Sequence, residues 1–340
     1  MQVAETVDEH PAVLVTGGAG YIGSHAALAL LDAGRRVIVL DNLVTGFRRA
    51  VPEVAVFVEG DIADDALVRA LLAEHGVGAI MHFAGSVVVA ESVENPLKYY
   101  DNNTARSRSL IASALAGGVR HFIFSSTAAV YGVPSDEPVD ESWPTRPANP
   151  YGTSKLMTET MLRDAAAAHG FNYGALRYFN VAGADPAGRA GQSTQGATNL
   201  IKAAVEVATG KRDSLAIFGD DWPTPDGTGV RDYIHVSDLV AAHIALLDRL
   251  EVETATSHVL NSGYGRGVSV REVIAAVERA SGKPLPCHVA PRRPGDIAQM
   301  VANSDALGAT IDWRPRFADL DAIVAHALHW ERTIGAQLAD

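Results

Sequence analysis

Cysteine occurs once in these 340 residues, at Cys287, so no disulfide can form within the chain. That suits a reducing compartment. Basic residues are scarce: 28 Lys and Arg stand against 40 Asp and Glu, a formal net charge of −12 with His neutral. Proteins that live on nucleic acid carry a basic face, so the sign argues against that partner. There is no uncharged apolar run of the roughly 18 residues a membrane span needs. The opening MQVAETVDEH is acidic and has no apolar stretch of the signal-peptide kind. The chain therefore reads as cytoplasmic, with no membrane partner. The 12 His show no His-Glu-x-x-His or similar ligand spacing, and His82, His121 and His235 fall in strands or turns. No metal centre is expected. Internal repeats and low-complexity tracts are absent as well.

What remains is an ordinary globular composition, 47% apolar and 20% charged, in a chain long enough to bury roughly three quarters of its unfolded surface. The N-terminal half alternates β-branched runs with helical segments. The pattern predicts strands at Ala12–Thr16, Arg36–Leu40, Val54–Val58, Gly78–Phe83, His121–Ser125 and Asn172–Tyr178. Helices are predicted at Ile22–Ala33, Asp64–Glu74, Pro96–Ala116 and Pro150–Ala168. Strands that are apolar throughout and separated by helices mean an α/β fold, with a parallel sheet covered on both faces and right-handed crossovers. Beyond Asn180 the chain turns rich in Gly, Pro and small polar residues, which suggests shorter elements and longer loops. The expected organisation is a Rossmann-type doubly wound domain over residues 1–180, joined by segments returning near 233–262 (helix Val236–Leu250 and strand His258–Asn261). A smaller C-terminal α/β domain over 181–340 shapes the substrate pocket.

Val13–Gly23 reads VLVTGGAGYIG, a strand, a glycine turn and a helix, with Gly17, Gly20 and Gly23 spaced by three. Gly17 allows the tight turn, Gly20 lets the backbone approach a pyrophosphate, and Gly23 lets the helix pack close to the sheet. The phosphates then lie at the positive helix end. A glycine motif alone is weak, but its place between the first strand and first helix of a parallel pattern marks a dinucleotide site. Asp41 ends the second strand, 18 positions after Gly23. A carboxylate there accepts from ribose hydroxyls and repels a 2′-phosphate, favouring NAD over NADP. Asp61, in EGDI after the third strand, is a candidate neighbour of the adenine.

Tyr151 and Lys155 lie four apart in NPYGTSKL. Pro150 suits a helix start, so both side chains share one face. A phenol with pKa near 10 becomes a base at about pH 7 for roughly 4 kcal/mol of preference for the phenolate. One cation at about 4 Å, with an effective dielectric of about 20, is worth roughly that much. Lys155 is one such charge and an oxidised nicotinamide a second. Without the cofactor, Tyr-x-x-x-Lys is a common surface pair. Thr127, in FIFSSTAAVYG, follows a strand at the end where doubly wound sheets bind ligands. Its hydroxyl both donates and accepts, so it can relay a proton.

Glycine turn, hydroxyl after a strand, and Tyr151 with Lys155 together resemble the short-chain dehydrogenase/reductase superfamily. The likeness narrows further. TGGAGYIGSH, DNL, EGDI, HFAG, ESVENPLKYYDNN, FIFSS, PYGTSKLMTE, LRYFN, LAIFG, DGTGVRDYIHVSDL and APRRPGD occur in the order found in UDP-glucose 4-epimerases. The resemblance covers nearly the whole chain after the first ten residues. It implies tightly held NAD, Tyr151 as the base, Lys155 on the nicotinamide ribose, and Thr127 where a serine often stands. It further implies cofactor contacts at Gly17, Gly20, Tyr21, Ile22, Gly23, Asp41, Asn42, Asp61, Ile62, Phe83, Ala84, Asn102, Lys155 and Phe179. By the same resemblance, Thr127, Tyr151, Asn180, Asn199, Leu200, Ala216, Phe218, Arg231, Arg292, Asp296 and Met300 contact the UDP-sugar. Arg231 and Arg292 suit a two-pronged grip on the pyrophosphate. Because the chain is acidic overall, the anion depends on such placed groups.

Three positions depart from the pattern: Val87 stands where many relatives have lysine, Asn303 replaces a common aspartate, and Met300 lies where residue size varies. A long, flexible Met at 300 points to hexoses without an N-acetyl group. Thr127 is followed by Ala128 and Ala129, so the acids that dehydratases and decarboxylases of this fold place there are missing. The reading is therefore reversible C4 epimerisation of UDP-glucose and UDP-galactose. UDP-pentose or UDP-N-acetylhexosamine epimerisation and a net NAD-dependent oxidoreductase are the alternatives. A non-catalytic NAD-sensing module is disfavoured by the retained Tyr and Lys. Relatives of this kind pair through two helices, here Pro96–Ala116 and Pro150–Ala168, so a homodimer is expected.

Overall fold

The computed structural model describes residues 10–133, 137–194, 196–253, 256–293 and 296–337. The strands are β1 (Ala12–Thr16), β2 (Val37–Asp41), β3 (Val56–Glu59), β4 (Val77–His82), β5 (His121–Ser125), β6 (Asn172–Tyr178), β7 (Asn180–Ala182), β8 (Leu215–Phe218), β9 (Val230–His235), β10 (His258–Ser262), β11 (Gly267–Ser269), β12 (Cys287–Ala290) and β13 (Gln299–Met300). The helices are α1 (Tyr21–Asp32), α2 (Asp65–His75), α3 (Val89–Glu94), α4 (Pro96–Tyr99), α5 (Arg106–Ala116), α6 (Pro150–His169), α7 (Leu200–Ala208), α8 (Val236–Val252), α9 (Val270–Ser281), α10 (Asp305–Thr310) and α11 (Leu320–Gln337). Among these described residues no helix is long and apolar enough to cross a membrane.

Seven strands form one sheet in the order β10-β6-β5-β4-β1-β2-β3, every pair parallel. The doubly wound class expected from the pattern is the one found. The chain reverses direction across the sheet between β1 and β4, and the crevice for a ligand opens at such a switch point. Leu30, Leu239 and Leu246 pack on one face with Val13, Val39 and Ile123. Val68, Leu110 and Leu162 pack on the other with Leu14, Ile80 and Phe122. β10 lies beside β6, in register from His258 opposite Gly174 to Ser262 opposite Tyr178.

Two local expectations fail for identifiable reasons. The third strand starts at Val56, and it sits on the sheet edge with Val54 83% and Val56 44% exposed, so apolar character there does not mean burial. The continuous helix predicted over Pro96–Ala116 widens into a π-helical turn at Tyr100–Ala105. Such insertions often mark functional sites. Here the turn delivers Asn103, which accepts from the Ser86 amide (2.7 Å) and donates to the Ser86 carbonyl (3.0 Å) and the Ser154 hydroxyl (3.1 Å).

The second half is more regular than its Gly and Pro content implied. α7, α9 and α11 close around a core of Ile201, Val205, Val273, Val277, Val324 and Leu328. Here β9 pairs with β7, β11 and β13, while β8 and β12 pair with each other. Two buried carboxylates hold this region. Asp232 accepts the amides of Tyr264 (3.0 Å), Gly265 (2.9 Å) and Ala302 (3.2 Å). Asp238 accepts those of Arg316 (2.9 Å) and Phe317 (2.8 Å) and the Tyr264 hydroxyl. Both acids lie in DGTGVRDYIHVSDL, so that motif is in large part a set of backbone clasps.

Candidate active site

Backbone sterics make the glycine turn. Gly17 has φ +71°, and a Cβ on it would stand 2.5 Å from the Ala84 nitrogen. A Cβ on Gly23 would stand 2.2 Å from the Gly17 carbonyl oxygen, so only glycine lets α1 begin there. Gly20 is different: a Cβ there would meet just that oxygen, at 3.2 Å, which leaves bare backbone on the outer side of the turn. This is the surface a pyrophosphate needs. Tyr21 and Ile22 open α1, and the Tyr21 hydroxyl donates to the Gly183 carbonyl at 2.7 Å.

Beyond β2, Asp41 accepts from the Ala19 amide (3.0 Å) and the Leu43 amide (2.8 Å). It thereby ties the glycine turn to the next loop, where Leu43 adopts φ 55°. Asn42 reaches the Asp61 carboxylate at 3.3 Å. Arg106 pairs with Asp61 from the other side, and Ile62 is buried beside it. Four of the expected cofactor-contact residues, Asp41, Asn42, Asp61 and Ile62, thus lie together. The chemistry of the set, bare amides, a helix start and carboxylates at the second and third strand ends, fits NAD. Phe83 and Ala84 continue β4 at the same end, and the Asn102 amide donates to the Ser86 hydroxyl at 2.9 Å. Val87, next to Ser86, is 63% exposed.

α6 starts on an Asn149 cap that accepts from the Gly152 amide (2.9 Å), with Pro150 in its first turn. This brings Tyr151 and Lys155 down onto the end of β5. Tyr151 is buried, and the Thr127 hydroxyl lies close enough to act on its phenol. Burial pushes the phenol up, and Thr127 opposes that shift. Lys155 is also buried; its ammonium donates to the Ser125 carbonyl (2.9 Å) and stands 4.9 Å from the centre of the Phe124 ring. Burial draws its pKa down to about 8, and Glu159 works against that. Tyr151, Lys155 and Thr127 are therefore brought together at the end of β5. Close by, His82 bridges the Thr16 hydroxyl (2.7 Å) and the Ser107 hydroxyl (2.8 Å), and burial lowers it to about 3.

The residues expected to take the nucleotide come from five separate segments. The Asn199 amide donates to the Val181 carbonyl (2.7 Å) while its oxygen caps α7 ahead of Leu200. Met300 stands opposite Arg231 in the β13–β9 register, and Asn180 stands opposite Tyr233 in β7–β9. Arg231 donates to the Val230 carbonyl (2.8 Å), with no ion pair among the described residues, and burial lowers its pKa. Ala216 and Phe218 lie on β8. Met300 packs with Ala128, Val130 and Tyr131, next to Phe179.

Arg292 points elsewhere. Its guanidinium lies 3.9 Å from the Trp222 ring centre and donates to Asp221 (2.8 Å). The neighbouring Arg293 lies 4.2 Å from the Phe218 ring centre, donates to Asp296 (3.1 Å), and acts electrostatically on Arg231 and Tyr233. In a double arginine, sequence cannot say which neighbour takes which aromatic partner. Asn303 also finds an explanation: its side chain accepts from the Asp305 amide (2.9 Å), a turn that aspartate would make equally.

Residues 13–261 match the NAD dependent epimerase/dehydratase family. The chain belongs to that family. Among curated members, a UDP-glucose 4-epimerase of Azospirillum brasilense is 55% identical over 95% of this chain and 93% of its own length. Among solved structures of the family, a UDP-glucose 4-epimerase of Stenotrophomonas maltophila with bound NAD and formylated UDP-arabinopyranose superposes with TM-score 0.92. It is 39% identical and covers 96% of this chain and 100% of that one. The Bifidobacterium longum enzyme in complex with NAD+ and UDP gives 0.90 at 40% identity, over 95% of this chain and 98% of that one.

In this family member the glycine turn has a direct test. Gly23→Val should abolish NAD retention, because the Gly17 carbonyl must move. The nucleotide released on denaturing the purified protein measures it, and a stoichiometric yield from the variant would contradict the steric account.

Proposed function

We propose that this chain interconverts UDP-glucose and UDP-galactose at C4 with NAD as its resident cofactor. Residues 1–180 and the returning 233–262 segment hold the dinucleotide, and 181–340 hold the UDP-sugar. The observation that carries the reading is the meeting of Tyr151, Thr127 and Lys155 at the carboxyl end of β5, on the same sheet as the glycine turn of β1 and separated from it by β4. When bound, NAD supplies a reversible hydride acceptor. Tyr151 takes the proton of the sugar 4-hydroxyl, with Thr127 bridging, and returns it to the same oxygen after the 4-keto sugar has turned its other face inward. Lys155 holds the nicotinamide ribose and, as an ammonium, favours the phenolate. Arg231 and Arg293, flanked by Asp296, Phe218 and Asn199, grip the pyrophosphate and uridine, so that the sugar alone is free to rotate. Met300, Ala128 and Phe179 wall the sugar side with apolar surface. The single unpaired cysteine suits the cytoplasm as the place of action.

A homodimer through α3, α4, the π-helical turn, α5 and α6 is part of the same proposal. Val93 (61%), Leu97 (76%) and Met157 (43%) expose apolar surface on these elements, and a second copy would cover it. A sedimentation mass equal to one chain at micromolar concentration would remove the dimer.

Catalysis is checked by incubating the purified protein with UDP-galactose and no added cofactor, and following UDP-glucose. Tyr151→Phe should lower turnover by about two to four orders of magnitude while the nucleotide stays bound; near-full turnover would show that another group is the base. The two arginines separate cleanly. Arg293→Met should raise KM for UDP-galactose by about tenfold or more, the worth of one lost charge-assisted bond. Arg292→Met should leave KM near the starting value, and the opposite pattern would return the anchor to Arg292.

A further inference from the structure

Behind the catalytic face lies a buried ion pair that the epimerase chemistry does not account for. Glu159 follows Lys155 by one helical turn on α6, and Arg177 comes from β6. The guanidinium donates Nε to Oε1 at 3.0 Å and a terminal nitrogen to Oε2 at 2.6 Å. The Ser126 hydroxyl donates to the same carboxylate at 2.5 Å, and the Ser126 amide is fixed on the Leu176 carbonyl at 3.0 Å. Arg177 also donates to the Tyr131 hydroxyl (3.0 Å), which donates to Asn261 (2.7 Å). Side chains of both ion-pair partners are below 10% exposed. A buried pair is a poor source of stability, because desolvation offsets attraction, so its presence invites another explanation.

We propose that Glu159 is a positioning residue for the reaction: held by Arg177 and Ser126, its carboxylate locks the helix bearing Tyr151 and Lys155 to the strand end bearing Thr127 and keeps a negative charge one turn behind the ammonium. The inference rests on the epimerase reading. Ser126 directly precedes Thr127, so one carboxylate sets both sides of the Tyr151–Thr127 contact. The other groups around Lys155 leave this charge in command. His82 on β4 is neutral near pH 7, since burial lowers it to about 3. Tyr131, Tyr173 and Tyr178 are pushed up by burial and stay protonated, as does Tyr151 before the cofactor acts. Arg177 is cationic and spent on Glu159 itself. Glu159 is the group that opposes the loss of the Lys155 proton.

The test reads Lys155 directly. The chain has five lysines, so lysine-selective carbon-13 NMR of the full chain as purified with its NAD resolves them, and the signal lost in Lys155→Arg assigns this one. In Glu159→Gln the Lys155 midpoint should fall by about one to two pH units, as expected when an opposite charge at this range is removed. The alkaline limb of kcat for UDP-galactose should move down with it, while KM changes little. The sign follows from the group: an ammonium that has lost its anion gives up its proton at lower pH. Should the single variant fail to fold, Glu159→Gln with Arg177→Met removes both charges at once, a change buried pairs tolerate. The double variant should show a downward shift of smaller size, because the Arg177 charge leaves with the carboxylate. A Lys155 midpoint unchanged in whichever variant folds would reduce the pair to a brace and overturn the proposal. If the wild type fails to convert UDP-galactose, the epimerase reading falls, while the NMR midpoint still reports on Glu159.

Discussion

A buried ammonium is expensive unless something nearby repays the water it lost. Lys155 finds the Ser125 carbonyl at 2.9 Å, the face of Phe124, and Glu159 one turn away. Those partners belong to the end of β5 and to α6, so satisfying the charge presses the helix onto the strand end. Tyr151, one turn earlier, is thereby carried to Thr127. The geometry of proton transfer is a consequence of where one cation can be tolerated. Burial alone drives the phenol away from the ionised form. The chain by itself holds a protonated tyrosine, and positive charge at the loaded site has to bring it down.

Around this point the chain spends its polar side chains on fastening backbone. Asp41 ties the glycine turn to the loop after β2, Asn103 holds the Ser86 segment against α6, and Asp232 and Asp238 clasp the loops after β10 and α10. Arg189 links Asp185 to Asp32 of α1, which joins the nucleotide-facing half to the dinucleotide half. Loop residues that must hold ligands need such fastening, since a connecting segment has little packing of its own. It also accounts for why long matching stretches such as DGTGVRDYIHVSDL surround single contact residues such as Arg231. Most of the motif is the mounting for the contact.

The division between the two halves follows from the chemistry. The dinucleotide side is a rigid turn in which a Cβ would collide with backbone. Elsewhere Met300, Ala128, Val130 and Tyr131 form an apolar wall, with Phe179 beside it. Under the proposed function such a wall would offer the sugar few directional bonds, from which a 4-keto sugar that must turn over gains.

Periodicity and motif order determined the parallel sheet, the glycine turn, the acid after β2 and the Tyr151–Lys155 helix, because each depends on spacing within one or two elements. Asn149, Pro150 and Gly170 even set the ends of α6. The tertiary structure alone decided what depends on direction or on distant partners. It turned Arg293 and not Arg292 toward Phe218, widened the helix at Tyr100–Ala105 to deliver Asn103, exposed the apolar third strand at a sheet edge, and joined Glu159 to Arg177 and Ser126. A side chain's neighbours across the fold leave no periodic trace in the chain. Two adjacent arginines look alike in sequence, and only the fold sets one over Trp222 and the other over Phe218.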